Sequence, residues 1–513
     1  MRLWTVLFVA VVMACGGTDA GGGLDLQIDT GTVHGKQVNG VRKFFGIPYA
    51  APPVGALRWK APQPVTPWTS PRDAVSPAAV CPQINPFGLG GGEEDCLYLN
   101  VFTPAEVTGA PVMFWLHGGA FAFGSGSEVY YDGAKLAQKY GVVVVTINYR
   151  LGAFGAFIHP QLTTDSSGNY AIEDQLAALK WVQRNIATFG GDPAKVTVFG
   201  ESAGGFSACL LYLSANTHGL FRSVISESGL CTSDYQRSKP QAMADSMTIA
   251  TKLGCTGQVE TCLRSKTVDE LTAAITPLPV AMQPPGGALY LPGVISPAPF
   301  TDGVVVADDM RVAFAAGGFE HRPLLLGTNH DEGTLFHSSV LATPVLDETA
   351  YRDALGRHFG AGKVDAIVAA YPVAAFSSPN AAIAAVTGDS LFVCPARRAA
   401  RGAAAAGAPI YRYTFERAFE NPLITDGGVI HSGEIPFVFG NDNFLLGQMG
   451  QSGLPVSDAV QGYWTRFAAT GDPNGDGAVA WPRADGDHHL VLDVTSAASS
   501  GLKTAQCDFW DAF

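Results

Sequence analysis

Charge is scarce in this chain of 513 residues, and cations are scarcer still. Only 15% of the residues are charged, with 32 Lys and Arg against 45 Asp and Glu, for a net charge of −13. No Lys/Arg run relieves that balance, so recognition of nucleic acid is disfavoured. No CxxC pair and no HExxH motif occurs, so the usual ligand spacings of a metal site are missing and no metal is expected. No internal repeat or long low-complexity segment interrupts the sequence, which argues for one large domain with insertions rather than a string of modules. Past the N-terminus no apolar run approaches bilayer length; Val142–Ile147 is far too short. Low charge with 47% apolar residues reads as a globular chain with a large core.

The N-terminus, MRLWTVLFVAVVMACGG, has one early cation, Arg2, an apolar stretch from Leu3 to Ala14, and then small residues. This pattern reads as a secretory signal over residues 1–14. Val12-Met13-Ala14-Cys15 loosely matches a bacterial lipobox. Two readings of Cys15 are open: lipidation, with residues 15–23 as a flexible tether to the envelope, or an ordinary signal cleaved nearby. The sequence favours the first. Either way the protein is exported, secreted or held at the cell envelope by an N-terminal lipid. There are nine cysteines; setting Cys15 aside leaves eight, an even number that suits an oxidising compartment. Cys81 and Cys96, and Cys255 and Cys262, are close enough to close short loops, but spacing alone fixes no connectivity.

Short Val- and Ile-rich runs recur at Val112–Leu116, Val142–Asn148, Val196–Gly200, Ser223–Ser226, Leu324–Gly327, Ile410–Phe415 and Leu490–Leu492. Unalternated runs of this kind suit strands buried on both faces. Between two of them, over Gly168–Phe189, Ile172, Leu176, Leu179, Val182 and Ile186 recur at steps of three and four, the spacing of one helical stripe. Strand and helix in alternation predict an α/β fold. Pro277–Pro299 reads as a loop and Ala399–Ala408 as a helix end.

One run ends in Gly200-Glu201-Ser202-Ala203-Gly204. G-x-S-x-G between a strand and a helix is a nucleophile elbow: the tight turn lifts the serine hydroxyl clear of the sheet edge, beside the first N–H groups of the helix. A hydroxyl is a poor nucleophile at neutral pH and needs a base and an acid, expected downstream in the order acid, then histidine. Upstream, His117-Gly118-Gly119-Ala120-Phe121 leaves an apolar strand and breaks into glycines, so that the N–H groups of Gly119, Ala120 and Ala203 could converge on one oxygen. Downstream, Asn329-His330-Asp331-Glu332-Gly333 offers Asp331 and Glu332 as acids, and Gly428-Val429-Ile430-His431 offers a histidine.

Taken together, these blocks resemble a type-B carboxylesterase, the cholinesterase-like branch of the α/β-hydrolases, over nearly the whole mature chain. Phe45–Ala50 with Pro52-Pro53-Val54-Gly55 and Arg58, Glu94–Asn100, Asp174-Gln175, Phe189–Pro193, Gly200–Gly205, Gly327–Gly333 and Gly428–His431 all match the family's pattern. The resemblance implies one domain over 24–513 with a large, mostly parallel central sheet flanked by helices, and loop and helical insertions forming an active-site gorge. It implies hydrolysis of a small-molecule carboxylic ester through an acyl-enzyme, with no cofactor. It makes Ser202 the nucleophile, Glu332 rather than Asp331 the triad acid, and His431 the base. Glu201 would line the pocket and Ser228 would lie buried near the triad. Arg58 and Glu94 would form a structural ion pair, and disulfides would join Cys81–Cys96, Cys255–Cys262 and Cys394–Cys507, leaving Cys209 and Cys231 unassigned.

Several features depart from the pattern or compete with it. The Cys81–Cys96 loop is short and holds no tryptophan, the residue that stacks on choline in cholinesterases, so choline esters are not the expected substrate. Ala120 takes a position that is glycine in many relatives, which leaves tolerance of bulky alcohols open. Asp472-Pro473-Asn474-Gly475-Asp476 imitates a calcium loop, but Arg483 falls where the bidentate glutamate belongs, and the segment is read as a turn. A lipase or an amide or carbamate hydrolase of the same fold is the alternative. A non-catalytic binding relative is disfavoured because all three triad positions are retained.

Overall fold

The seven apolar runs become seven neighbouring strands of one sheet. In a computed structural model, which describes residues 24–84, 90–162, 166–275, 297–338, 341–418, 428–442 and 448–513, they form most of an eleven-stranded sheet. Its strands, numbered in chain order, are β1 (Lys36–Val38), β2 (Val41–Pro48), β3 (Tyr98–Pro104), β4 (Ala110–Leu116), β5 (Val143–Ile147), β6 (Gly191–Glu201), β7 (Ser223–Glu227), β8 (Leu324–Asn329), β9 (Ile410–Phe415), β10 (His488–Leu492) and β11 (Ala497–Ser500). Their spatial order is β11-β10-β9-β8-β7-β6-β4-β5-β3-β2-β1. Every pairing from β10 to β5 is parallel. The pairings of β3 with β5, β2 with β3, β1 with β2 and β11 with β10 are antiparallel.

The parallel strands are covered on both faces, which is why their sequences do not alternate. Residues along β4 divide between two layers. Val112, Phe114 and Leu116 face a core shared with the helices α1 (Tyr170–Asn185) and α2 (Ala203–Leu213). Met113 and Trp115 face another, shared with Ile435–Phe439 and the helix α3 (Gly450–Thr470). The predicted stripe of α1 is buried throughout, and the helix ends at Asn185 in a short 3₁₀ turn over Ile186–Phe189. The antiparallel strands β2 and β3 did not register in the sequence as runs. Arg42 and Lys43 interrupt β2, and a register shift between Phe44 and Ile47 breaks its period. The expected helix end at Ala399–Ala408 belongs to a helix spanning Cys394–Ala405.

The signal segment 1–14, Cys15 and the tether 15–23 lie outside the described residues, as do residues 277–296 of the predicted Pro277–Pro299 loop and residues 85–89 between Cys81 and Cys96.

Two ion pairs and four disulfides tie the loops to this frame. Arg58 donates Nε and Nη2 to the two Glu94 oxygens, both at 2.6 Å, the pair that the resemblance implies. Arg150 grips Asp174 in the same two-pronged way, at 2.8 and 2.7 Å, and its Nη1 reaches the Lys60 carbonyl at 2.8 Å. Both partners are buried, pinning the segment after β5 to α1. The disulfides join Cys81–Cys96, Cys255–Cys262 and Cys394–Cys507, and add Cys209–Cys231, which links α2 to the segment after β7.

Removing one side of a buried ion pair strands the other charge. Asp174→Ala should destabilise the fold by about 3–5 kcal/mol, read from chemical denaturation against wild type. A loss below 1 kcal/mol would contradict the pinning role.

Candidate active site

The elbow is possible because two backbones meet without side chains between them. Ser202 takes φ 55° and ψ −119° at the junction of β6 and α2, a conformation that L-residues rarely adopt. Its N–H donates to the Glu227 carbonyl of β7 at 2.9 Å. A Cβ on Gly204 would lie 1.9 Å from the carbonyl oxygen of Leu116, and one on Gly200 would lie 2.6 Å from the Gly204 carbonyl carbon. Glycine at both positions therefore lets α2 start directly against the end of β4.

From that end of β4 runs the glycine loop. Gly119, Ala120 and Phe121 have φ of 99°, 54° and 58°. Their carbonyls are engaged within the surrounding loops: Gly119 accepts from Ala122 and Phe123, Phe121 from Gly152 at 2.6 Å, and Ala120 from the Tyr235 hydroxyl at 3.3 Å. Gln83 braces the loop, accepting from Gly124 N–H at 2.8 Å and donating to its carbonyl at 3.1 Å. Among the described residues the N–H groups of Gly119, Ala120 and Ala203 have no hydrogen-bond acceptor. His117 is locked beside them, stacked on Tyr149 and bonded through Nδ1 to the Gly118 carbonyl at 2.8 Å. Burial lowers its imidazole to about 4 and keeps it neutral.

His431 is 3% exposed and packs beside the stacked rings of Phe336 and Phe392. Its Nδ1 lies 2.6 Å from Glu332 Oε2. Its Nε2 has no hydrogen-bond partner among the described residues, although Glu201 Oε1, beside the serine, lies 3.2 Å away. Glu201 Oε1 also accepts from Ser432 at 2.6 Å, which fastens the histidine segment to the elbow. Between the two candidate acids the geometry discriminates. Glu332 meets His431, whereas Asp331 bonds His330 at 2.8 Å and the Val429 N–H at 2.9 Å.

Ser228 bridges behind the pair, with Oγ 2.6 Å from Glu332 Oε1 and 3.3 Å from Glu434 Oε1. Burial alone would lower His431; the charges of Glu201 and Glu332, the Glu332 hydrogen bond and the charge of Glu434 outweigh it and raise the imidazole to about 9. Burial raises Glu201 to about 7, against the pull of His431. Six of the ten non-glycine residues with positive φ among those described, Ala120, Phe121, Ser202, Ser228, Leu230 and Ser432, belong to these segments. Strain concentrates where surrounding packing holds it for a purpose.

Glu434 and Glu227 were not singled out by sequence reasoning. Both are buried carboxyls, and the available signal was a glutamate closing an otherwise apolar strand run, at Glu227 after Ser223–Ser226. Cys209 and Cys231 pair although nothing in the sequence pattern assigned them. Asp472 to Trp481 closes as a turn in which Asn474 bonds both the N–H and the carbonyl of Trp481. Among the described residues no cluster of three metal-ligating side chains occurs.

Residues 24–510 match the family model described as the carboxylesterase family. The chain is 38% identical to the para-nitrobenzyl esterase of Bacillus subtilis (strain 168), across 90% of this chain and 93% of that protein. It is 36% identical to the fumonisin B1 esterase of Sphingopyxis macrogoltabida, across 94% and 88%, and 35% identical to carboxylesterase 1D of Rattus norvegicus, across 94% and 91%. A solved PNB esterase superposes with a TM-score of 0.82 at 34% identity, covering 95% of this chain and 99% of that one. A glycine-built elbow, an imidazole fixed by a carboxylate and free N–H groups beside them thus sit on the α/β-hydrolase fold of a chain that belongs to the carboxylesterase family and is a serine carboxylic ester hydrolase.

Proposed function

We propose that Ser202 is the nucleophile, His431 the general base and acid, and Glu332 the carboxylate that orients it. The observation that carries this reading is His431 itself, a buried imidazole with Nδ1 held by Glu332 and Nε2 unpartnered on the side of the elbow. Ser202 Oγ attacks the ester carbonyl carbon while Nε2 takes its proton. The oxyanion is received by the N–H groups of Gly119, Ala120 and Ala203. Collapse breaks the C–O bond to the alcohol, which leaves with the proton from Nε2. Water then attacks the acyl-enzyme, gives its proton to Nε2, and releases the acid as Ser202 regains its hydrogen.

Glu201 lines the pocket beside Ser202, and Ser228 supports Glu332 from behind. Residues 24–513 act as a single catalytic domain, in keeping with one family match over 24–510. The substrates are soluble esters rather than lipid emulsions, a reading supported by the likeness to para-nitrobenzyl and other small-molecule esterases. Export is supported by the four disulfides, which need an oxidising compartment to persist. Attachment follows from lipidation of Cys15.

Purified mature protein should hydrolyse p-nitrophenyl butyrate in preference to triglyceride emulsion. Ser202→Ala should abolish turnover and fluorophosphonate labelling, and Glu332→Gln should lower kcat on the order of 10⁴-fold. A folded wild type that neither turns over nor labels at Ser202 would sink the assignment, and preference for the emulsion would favour a lipase.

The pH profile follows from the charges around His431. The base must be neutral to act, and its pKa is raised above the ordinary 6.5, so kcat/KM should climb with pH along an acid limb above 6.5. Glu201 is a principal charge raising it, so Glu201→Gln should move that limb to lower pH. A limb that stays put or rises would remove Glu201 from the balance. Expressed in a bacterium that processes lipoproteins, the wild type should fractionate with membranes and Cys15→Ala should be released; equal partitioning would leave Cys15 incidental.

A further inference from the structure

Four buried carboxyl groups lie near one another here: Glu201, Glu332 and Glu434 act on His431, and Glu227 is influenced by Glu434 and Glu201. Glu201, Glu227, Glu332 and Glu434 are each 1% exposed or less. A folded interior does not hold four such charges against one imidazolium, so some of them keep their protons, and hydrogen bonding distinguishes them.

Glu332 is served by three donors: the Asn329 N–H at 2.7 Å and Ser228 Oγ at 2.6 Å to Oε1, and His431 Nδ1 at 2.6 Å to Oε2. Each of its oxygens therefore has a donor. Glu434 is served differently. Its Oε2 accepts from Asn329 Nδ2 at 2.6 Å, and its Oε1 faces Ser228 Oγ at 3.3 Å. Ser228 owns a single hydroxyl proton, and the nearer oxygen, that of Glu332, takes it. Ser228 Oγ and Glu434 Oε1 would then meet lone pair to lone pair unless Glu434 brings a proton of its own.

We propose that Glu434 is a positioning residue held as the neutral carboxylic acid at working pH, donating from Oε1 to Ser228 Oγ, which in turn donates to Glu332. The proposal rests on the triad assignment made above. The ionisable groups facing Glu434 agree with it. Its burial, followed by the charges of Glu201 on the elbow and Glu332 after β8, raises it to about 8. Glu227 on β7 is driven well above the carboxylate range, first by burial and then by Glu434. The Tyr413 phenol on β9 is raised by burial and then by Glu434 and Glu227.

The consequence reaches His431. Two aligned protons fix the Glu332 oxygens that hold the imidazole, and a neutral Glu434 withdraws one of the negative charges that would otherwise raise it. An ionised Glu434 would push His431 further toward imidazolium, which cannot accept the Ser202 proton.

The test compares Glu434→Ala with Glu434→Gln across pH, in proteins whose thermal unfolding is recorded. An amide keeps a donor toward Ser228 and an acceptor toward Asn329, so it copies the neutral acid but not the carboxylate. Ala should lower kcat/KM by about 10- to 100-fold. Gln should recover most of that loss and leave the acid limb where the wild type has it. The infrared difference between wild type and Glu434→Gln at neutral pH should show the C=O stretch of a protonated carboxyl. The proposal is overturned if Gln shifts the acid limb down by about one unit or more, if folded Gln is no better than Ala, if Ala costs nothing, or if that band is missing. Ser202→Ala runs beside them: retained turnover there would fell the triad assignment itself, whereas a dead Ser202→Ala confines any failure to Glu434.

Discussion

The catalytic geometry depends on a contact with no side chain in it. Where α2 leaves the elbow, its backbone at Gly204 rests on the carbonyl of Leu116, with space for a hydrogen and nothing larger. That approach fixes the end of β4 against the start of α2, and so fixes the glycine loop that continues from β4 relative to Ser202. An oxyanion hole needs donors placed to a few tenths of an ångström. Here the placement comes from parallel strands hydrogen-bonded in register and from two glycines, elements that cannot repack as side chains can. Gln83 and Tyr235 brace the loop through Gly124 and the Ala120 carbonyl, while the N–H groups of Gly119 and Ala120 have no acceptor among the described residues.

Behind the serine the constraint is electrostatic. The segments beyond the sheet edge place the His431 imidazole near four buried carboxyls in a volume nearly closed to water, where each additional charge works against the others. What makes the cluster tenable is the unequal distribution of donors. Glu332 receives three and Glu201 takes the Ser432 hydroxyl, while Glu227 takes the Trp464 indole N–H at 2.8 Å. Ser228, strained at φ 50°, lies where β7 ends and faces two of the four carboxyls. The Cys209–Cys231 disulfide joins α2 to the segment just beyond it, so the elbow helix and the segment carrying Ser228 are covalently coupled.

The α/β class was legible in the amino-acid order, because parallel strands buried on both faces leave a local signature, an unbroken Val/Ile run, that needs no partner to be read. So were the elbow, the glycine loop and the histidine block, because each is a short motif whose chemistry demands particular residues at fixed spacing. The antiparallel strands β2 and β3 escaped notice because one is crossed by Arg42 and Lys43 and bent at a register shift. Motif chemistry left Glu332 and Asp331 as rivals, the family resemblance favoured Glu332, and the turn after β8 agrees by directing Glu332 to His431 and Asp331 to His330. Tertiary structure alone paired Cys209 with Cys231 and Arg150 with Asp174, and it alone assembled Glu201, Glu227, Glu332 and Glu434 near one imidazole. Encounters in this region reach as far along the chain as Glu227 with Trp464, 237 positions apart, and local pattern carries no information about which distant side chains a sheet edge will bring together.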